Sequence, residues 1–471
     1  MVATSLKISA PAAAGSIAQA TAHQYLINAT SANQSLLPLT ARVNALDHLE
    51  IGGCDVVELA ERFGTSLYIL DETTIRTACQ QYRDAFKTYY PGESLVIYAS
   101  KALNCLAICA IVASEGLGID VVSGGELHTA TLAGVPAAKT YLHGNNKSIE
   151  ELQMAIDRGV TVIVDNWEEL KSLASLTQIS QKTTRTMLRL TPGIECHTHE
   201  YIKTGRIDSK FGFDRNQVDA VFDFVLANPS LAFVGLHAHI GSQIFELKPH
   251  DDLGGVMVNW LTKAAAKGLN IAELNIGGGL GIRYTEQDDP PSIEEWVKVV
   301  CESVVAACKA ENIPLPKLIS EPGRSLVGTA GVTAYRVGGQ KEIPGIRTYL
   351  SVDGGMSDNP RPITYESLYR SILANRMSSP MTETVTIAGK HCESGDVLIK
   401  DAQLPKAEFG DILVVMDTGA YNYSMSSNYN RIGRPTAVLV NNAQAHVILE
   451  RETLDDLLRH DRLPDHLKSS D

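Results

Sequence analysis

The sequence predicts an α/β protein in which a (β/α)8 barrel is joined to a mainly antiparallel β domain. Three observations predict it. Eight short Val/Ile/Leu-rich runs alternate with helical stretches between residues 95 and 321, the pattern of a parallel sheet covered on both faces. Glycines and chemistry-bearing side chains cluster just after those runs, at the strand ends where barrels carry their sites. Beyond Glu321 helical periodicity fades and turn-punctuated strands take over.

The elements follow in order. The first forty-odd residues are rich in Ala, Ser and Thr, with Lys7 and Arg42 as their only charges. They predict a flexible tail over residues 1–44, and their scarcity of arginine disfavours a transit peptide. Residues 45–70, with HLEIGG at 48–53, are expected to lend the β domain an N-terminal strand. The barrel is expected over 71–322. Its strands are LVIYA (95–99), GIDVV (118–122), KTYLH (139–143), VTVIV (160–164), TMLRL (186–190), FVGLHAHI (233–240), ELNIG (273–277) and KLISE (317–321). Amphipathic segments such as 149–158 and 166–176 supply the helices between them. Residues 323–471 form the C-terminal β domain, with TVTIAGKHCESGDVLI, GDILVVMDTGAYN and PTAVLVNNAQAHVILE as its strand-rich stretches.

Composition narrows the function. A chain of 471 residues is long enough for two domains. A formal charge of -13 disfavours nucleic acid or an anionic membrane as the main partner. No run has the apolar length of a membrane span. The eight cysteines are scattered without a CxxC pair, which argues against a disulfide framework or a metal site and for a reducing, cytoplasmic setting. Cys105 and Cys109 are expected as small core residues on one helix.

The strand ends carry the chemistry. The first run leads into Ser100-Lys101, the second into Ser123-Gly124-Gly125-Glu126, and the third into His143-Gly144-Asn145. The sixth ends in His237-Ala238-His239, with Ser242 following; the seventh ends in Gly277, Gly278 and Gly279; the eighth in Glu321-Pro322-Gly323-Arg324. The glycines are read equally well as a tight turn or as a phosphate cradle. They do not form a dinucleotide fingerprint, because the spacing is not GxGxxG. Glu321, ending an apolar strand, needs a partner when buried, either Arg324 or a bound cationic ring nitrogen. His239 is read as a core histidine or as a flat stacking surface. A lysine in a desolvated barrel mouth has a depressed pKa and acts as a neutral amine toward carbonyls. Together a phosphate cradle, a carboxylate, a flat ring and a Schiff-base lysine describe a pyridoxal phosphate site.

On the motifs YASKALN, DVVSGGE, HTHEYIKTG with SKFG, GLHAHIGSQ, NIGGGLG, EPGRSLV, NPRPITY, HCESGD and GAYN, the chain resembles the fold-type III pyridoxal phosphate decarboxylases, most nearly their diaminopimelate-acting branch. The resemblance spans about residues 45–460. It implies decarboxylation of meso-2,6-diaminopimelate to L-lysine, with pyridoxal 5'-phosphate held by Lys101. His239 would stack on the ring, and Glu321 would bind its nitrogen. Ser242, Gly277, Gly278, Gly279, Pro322, Gly323 and Arg324 would surround the phosphate, with Tyr421 beside them. Arg324, Arg361, Tyr365, Glu393 and Tyr421 would grip the far end of the substrate. Cys392 would donate a proton, reaching with Glu393 into the partner subunit of a homodimer. Read bare, HCESGD is equally a β-turn around a thiol. Ala238 is expected to point away from the cofactor. An ornithine or arginine decarboxylase would keep the cofactor site but lack the Arg361, Tyr365 and Glu393 grip. A silent cofactor-binding regulator is disfavoured because Lys101 and Cys392 are both present.

Overall fold

The computed structural model describes residues 20–27, 29–194 and 209–468. The HTHEYIKTG motif and Cys196 lie outside the described residues; SKFG lies within them. Eight parallel strands close into a barrel: Ser94–Ala99, Gly118–Val121, Thr140–Leu142, Thr161–Val164, Thr184–Arg189, Leu231–His237, Glu273–Asn275 and Lys317–Ser320. The last pairs with the first through Leu318 and Ser94. Every run expected as a barrel strand is one.

Successive side chains of a strand point to opposite faces, so two cores form from one sheet. Leu95, Ile97, Tyr141, Ile163, Met187, Val234 and Ile319 cluster inside the barrel. Their neighbours Val96, Tyr98, Ile119, Leu142, Val162, Leu188, Leu236, Leu274 and Leu318 pack outward under the helices. Below the inner cluster, Glu273 accepts from Arg185 Nη2 at 2.7 Å and from the Tyr141 hydroxyl at 3.1 Å. Two residues above it, the inward register delivers His143, Asp165, Arg189 and Glu321 to the carboxyl ends of the strands. The active end is the continuation of the core pattern with polar residues substituted into it.

Helix boundaries follow local chemistry. Ile149–Arg158 begins with a capping box of Ser148 and Glu151 and stops at Gly159, whose φ of 68° suits glycine. Cys105 sits at the N-terminal cap of Leu106–Ser114 and Cys109 lies on that helix, both buried. In DVVSGGE, Ser123 caps Gly124–Leu132. Glu126 accepts from the Val122 N–H at 2.8 Å and from the Ser100 hydroxyl at 3.1 Å. That motif therefore fixes the backbone beside Lys101.

The β domain is a nine-stranded sheet in which Gly331–Ile343 is the long central strand. It is mixed: Leu67–Asp71 runs antiparallel to Gly331–Ile343 and parallel to Thr436–Asn441. The N-terminal strand joining this sheet is thus Leu67–Asp71. Leu49–Ile51, expected in that role, belongs to a separate three-stranded sheet with Arg42–Val43 and Cys54–Asp55. Its Leu49 and Ile51 still pack into the β-domain core.

The flexible tail expected over 1–44 is packed where it is described. Tyr25, Leu36 and Leu37 enter the β-domain core, while Ala32 enters the barrel core. Asn33 Nδ2 donates to the Gly281 and Pro291 carbonyls at 3.1 and 2.9 Å. Low charge and small residues marked this segment as a tail; here they let it lie in the seam between domains. Leu36 is 0 % exposed, so Leu36→Ala is expected to cost about 2–5 kcal/mol, read as a lowered denaturation midpoint. A change under about 0.5 kcal/mol, the surface-substitution range, would mean that the seam contributes nothing.

Candidate active site

A cavity of about 440 Å³ opens at the carboxyl ends of the barrel strands. Lys101, His239, Ser242, Gly279, Glu321, Gly323, Arg324, Arg361, Tyr365 and Tyr421 line it. Among the predicted site residues, Gly277, Gly278, Pro322, Cys392 and Glu393 are not in its wall. Arg361 and Tyr365 lie on a short helix, Arg361–Tyr365, that the β domain holds over the barrel mouth.

Lys101 lies in the tight turn Ser100–Ala102 that ends the first strand. Its Nζ donates to Asp120 Oδ2 at 2.9 Å. Burial pulls the Lys101 pKa down, but the facing charge of Asp120, then Tyr421 and Glu321, more than offsets it. The net shift is upward, opposite to the depressed pKa expected from the sequence. The missing information was Asp120, an inward acid on the adjacent strand.

Glu321 does not pair with Arg324, one of the two partners expected for it. Its Oε1 accepts from Asn275 Nδ2 at 2.6 Å and lies 2.9 Å from His143 Nε2. Its Oε2 lies 3.3 Å from His237 Nε2. Burial works to raise the carboxyl pKa, but His143 and His237 hold it well below the usual carboxylate range. Burial pulls the His237 imidazole down, to about 4, against the opposing pull of Glu321. Glu321 is an anion at the cavity floor, with its neighbours arranged to keep it ionised.

Arg324 instead points toward Ser242 Oγ, with Nε and Nη2 at 3.3 and 3.2 Å, and donates from Nη1 to the Tyr284 hydroxyl at 2.6 Å. Its guanidinium carbon stands 4.8 Å from the Tyr421 ring. Arg361 is buried, donates from Nη2 to Ser367 Oγ at 3.2 Å and stands 5.1 Å from the Tyr365 ring. Its Nε is buried with no hydrogen-bond partner among the described residues. A buried guanidinium with an unspent donor, lining a cavity, is suited to a carboxylate.

The glycines at these strand ends sit where a side chain would crowd neighbouring protein atoms. A Cβ on Gly278 would lie 2.3 Å from the Glu321 carbonyl oxygen, and one on Gly277 would lie 2.7 Å from His239 Nδ1. Gly278 thus allows the seventh strand end to pack against the eighth, and Gly277 allows it to pack against the sixth. Gly279 and Gly323 line the cavity wall, and a Cβ there would also meet protein, 2.8 Å from the Gly241 carbonyl oxygen and 3.0 Å from Ala99 Cβ. His239 accepts from the Gly278 N–H at 3.2 Å through Nδ1, which orients its ring, and Ala238 is buried in the outer core as expected.

Cys392 is exposed and Glu393 likewise, on the turn between Glu383–Ala388 and Val397–Leu404. Sequence reasoning named no role for Asp120, His143, Arg189, His237 or Asn275. The available signal was polar identity at inward positions of apolar strands, as in GIDV and TMLR. Arg189 is buried, its guanidinium 4.3 Å from the Phe211 ring.

Comparison with known proteins agrees with this geometry. A family profile, "Pyridoxal-dependent decarboxylase, pyridoxal binding domain", matches residues 72–328. The diaminopimelate decarboxylase of Synechocystis is 65% identical over 447 residues, 93% of this chain and 95% of the relative. That of Bacillus subtilis is 45% identical over 427 residues, 90% and 97% of the two chains. Among solved structures, the M. jannaschii diaminopimelate decarboxylase in complex with L-lysine superposes with a TM-score of 0.86 at 36% identity, covering 92% of this chain and 99% of that one.

Proposed function

The chain belongs to the diaminopimelate decarboxylases of the pyridoxal-dependent decarboxylase family, and on that premise we propose how its residues divide the work. It converts meso-2,6-diaminopimelate to L-lysine and CO₂, the last step of L-lysine biosynthesis by that route. The observation that carries the reading is one cavity holding Lys101, a Glu321 that accepts from Asn275 Nδ2, and a buried Arg361 with an unspent donor.

The residues fit pyridoxal phosphate. Gly279, Gly323 and Ser242 offer a small-residue wall for the phosphate, Glu321 an anion for the ring nitrogen, His239 a flat face and Lys101 an amine. When bound, the cofactor supplies an electron-poor ring that accepts the electron pair left as the carbon–carboxyl bond breaks. Glu321 favours a protonated ring nitrogen and so a stronger electron sink. Arg361, with Tyr365, grips the distal carboxylate and sets which end of the substrate faces Lys101. Cys392, from the partner subunit of a homodimer, gives a proton to the carbon that has lost its carboxyl group. The reading is tested by CO₂ release from meso-diaminopimelate, ornithine and arginine side by side. Comparable efficiency on ornithine would remove the distal-carboxylate grip from the account.

The shared site makes its own expectation. Lys101→Ala and Cys392→Ala enzymes are each inactive, yet mixing them after subunit exchange restores part of the activity, because one site per hybrid keeps both residues. Silence from hybrids isolated with two affinity tags would place Cys392 outside the partner's site.

Asp120 makes another. Because its charge raises Lys101, Asp120→Asn lowers the Lys101 pKa and enlarges the neutral-amine fraction at a given pH. Capture of added pyridoxal phosphate by apoenzyme should then shift its pH profile downward by about 1–3 units. An unmoved profile would separate Asp120 from the titration of Lys101.

A further inference from the structure

We infer that Asp396 is a positioning residue serving two active sites at once, through its bonds to the loop ending in Arg361 and to the turn bearing Cys392. The inference rests on the reading above that Cys392 works in the partner subunit. Asp396 is 4% exposed and His391 7%. Asp396 Oδ1 accepts from the Met356 N–H at 2.7 Å. Oδ2 accepts from the His391 N–H at 2.9 Å and lies 2.7 Å from His391 Nδ1. The Lys390 N–H donates to the Gly354 carbonyl at 2.9 Å, and the Gly389 N–H to the Asp396 carbonyl at 3.0 Å. One buried carboxylate thus joins residues 354–360 to the turn 389–396.

Both segments leave this junction toward a site. In the first, Asp358 accepts from the Tyr335 hydroxyl at 2.5 Å, Asn359 Oδ1 accepts from Asn422 Nδ2 at 2.7 Å, and the helix with Arg361 follows. In the second, the Cys392 N–H donates to Asn430 Oδ1 at 2.8 Å, and His391 stacks on Tyr429 with ring centroids 6.0 Å apart. The packing has no slack: a Cβ on Gly355 would lie 2.5 Å from Asp396 Oδ1, and one on Gly389 would lie 2.1 Å from Oδ2. Arg361 lines the cavity of its own chain, whereas Cys392 is exposed and outside that cavity's wall. A shift at Asp396 therefore moves a substrate-gripping residue in one site and a proton donor in the other.

Asp396→Asn keeps the shape but makes one of the two oxygens a donor facing either the Met356 N–H or the His391 N–H and ring. Two hybrid dimers, purified with two affinity tags, separate its effects. In a Lys101→Ala: Asp396→Asn hybrid the working barrel has an altered Arg361 loop and an unaltered partner turn. KM for meso-diaminopimelate should rise about 10- to 100-fold, the effect of a small misplacement, with kcat nearly kept. In a Lys101→Ala/Asp396→Asn: wild-type hybrid the working barrel is unaltered and receives the altered turn. There kcat should fall by a similar factor with KM kept. Kinetics equal to those of the Lys101→Ala: wild-type hybrid, or the same loss of both parameters in both arrangements, would overturn the inference. Should Asp396→Asn fail to fold, His391→Gln is read in the same two hybrids and by the same outcomes. A dead Lys101→Ala: Cys392→Ala hybrid would instead overturn the shared site and with it the claim on two sites, while the first hybrid would still report on Arg361.

Discussion

Lys101→Ala is expected to lower kcat by on the order of 10⁴-fold or more, the scale on which loss of a covalent catalytic group is felt. The lysine is placed by the sheet rather than by a flexible loop. It follows Ala99 at the end of the first strand, and Glu126 anchors the adjacent Ser100 hydroxyl and Val122 N–H. No other lysine lines the cavity among the described residues. Lys101→Arg should be equally inactive, since a guanidinium stays protonated and cannot serve as a nucleophile. Borohydride reduction followed by peptide mapping should place pyridoxal phosphate on the peptide containing Lys101 and on no other. A label elsewhere, or a Lys101→Ala enzyme that still forms the covalent link, would sink the assignment. The thermal midpoint of Lys101→Ala should fall, because Asp120, buried beside the lysine at 2.9 Å, loses its cationic partner.

Arg361→Ala should lower kcat/KM for meso-diaminopimelate by about 10³- to 10⁵-fold, leaving the absorption spectrum of the bound cofactor unchanged. The scale comes from sites built to bind a polar group, which reject partners that leave their own polar atoms unmatched. Arg361 is buried, its guanidinium carbon 5.1 Å from the Tyr365 ring and 5.8 Å from the Tyr421 ring. Arg361→Lys should rescue little: a point ammonium cannot present two parallel donors. A bare surface role in the NPRP loop is already excluded by its burial. Near-native efficiency in the alanine enzyme would remove Arg361 from substrate binding, and a changed cofactor spectrum would place it on the cofactor instead.

Much of this was legible in the residues. The eight barrel strands were readable because doubly covered parallel strands are continuous apolar runs, and no other element type interrupts helices so regularly. The cavity-lining residues Lys101, Ser242, Gly279, Glu321 and Arg324 were readable because each stands at a strand end. Less was legible where two readings share one signature. A segment of small uncharged residues can be a tail or a seam filler, and residues 31–37 proved to be the filler. Gly277 and Gly278 share the composition of a phosphate cradle, yet their N–H groups are bonded to Asn275 Oδ1 and His239 Nδ1.

By itself the sequence determined the alternation of strands and helices, the order of the two domains and the residue types at the barrel mouth. These are local properties, written in hydrophobic period and in punctuation by glycine and polar residues. Tertiary structure alone decided who faces whom. Asp120 meets Lys101 because two strands pair in parallel through Ala99 and Asp120, and that contact reverses the sign of the lysine's shift. His143, His237 and Asn275 come from three strands onto Glu321, and Arg361 reaches the barrel from the β domain. Electrostatic effects at a buried site fall off over a few ångströms, so they depend on neighbours distant in the chain, which no local pattern records.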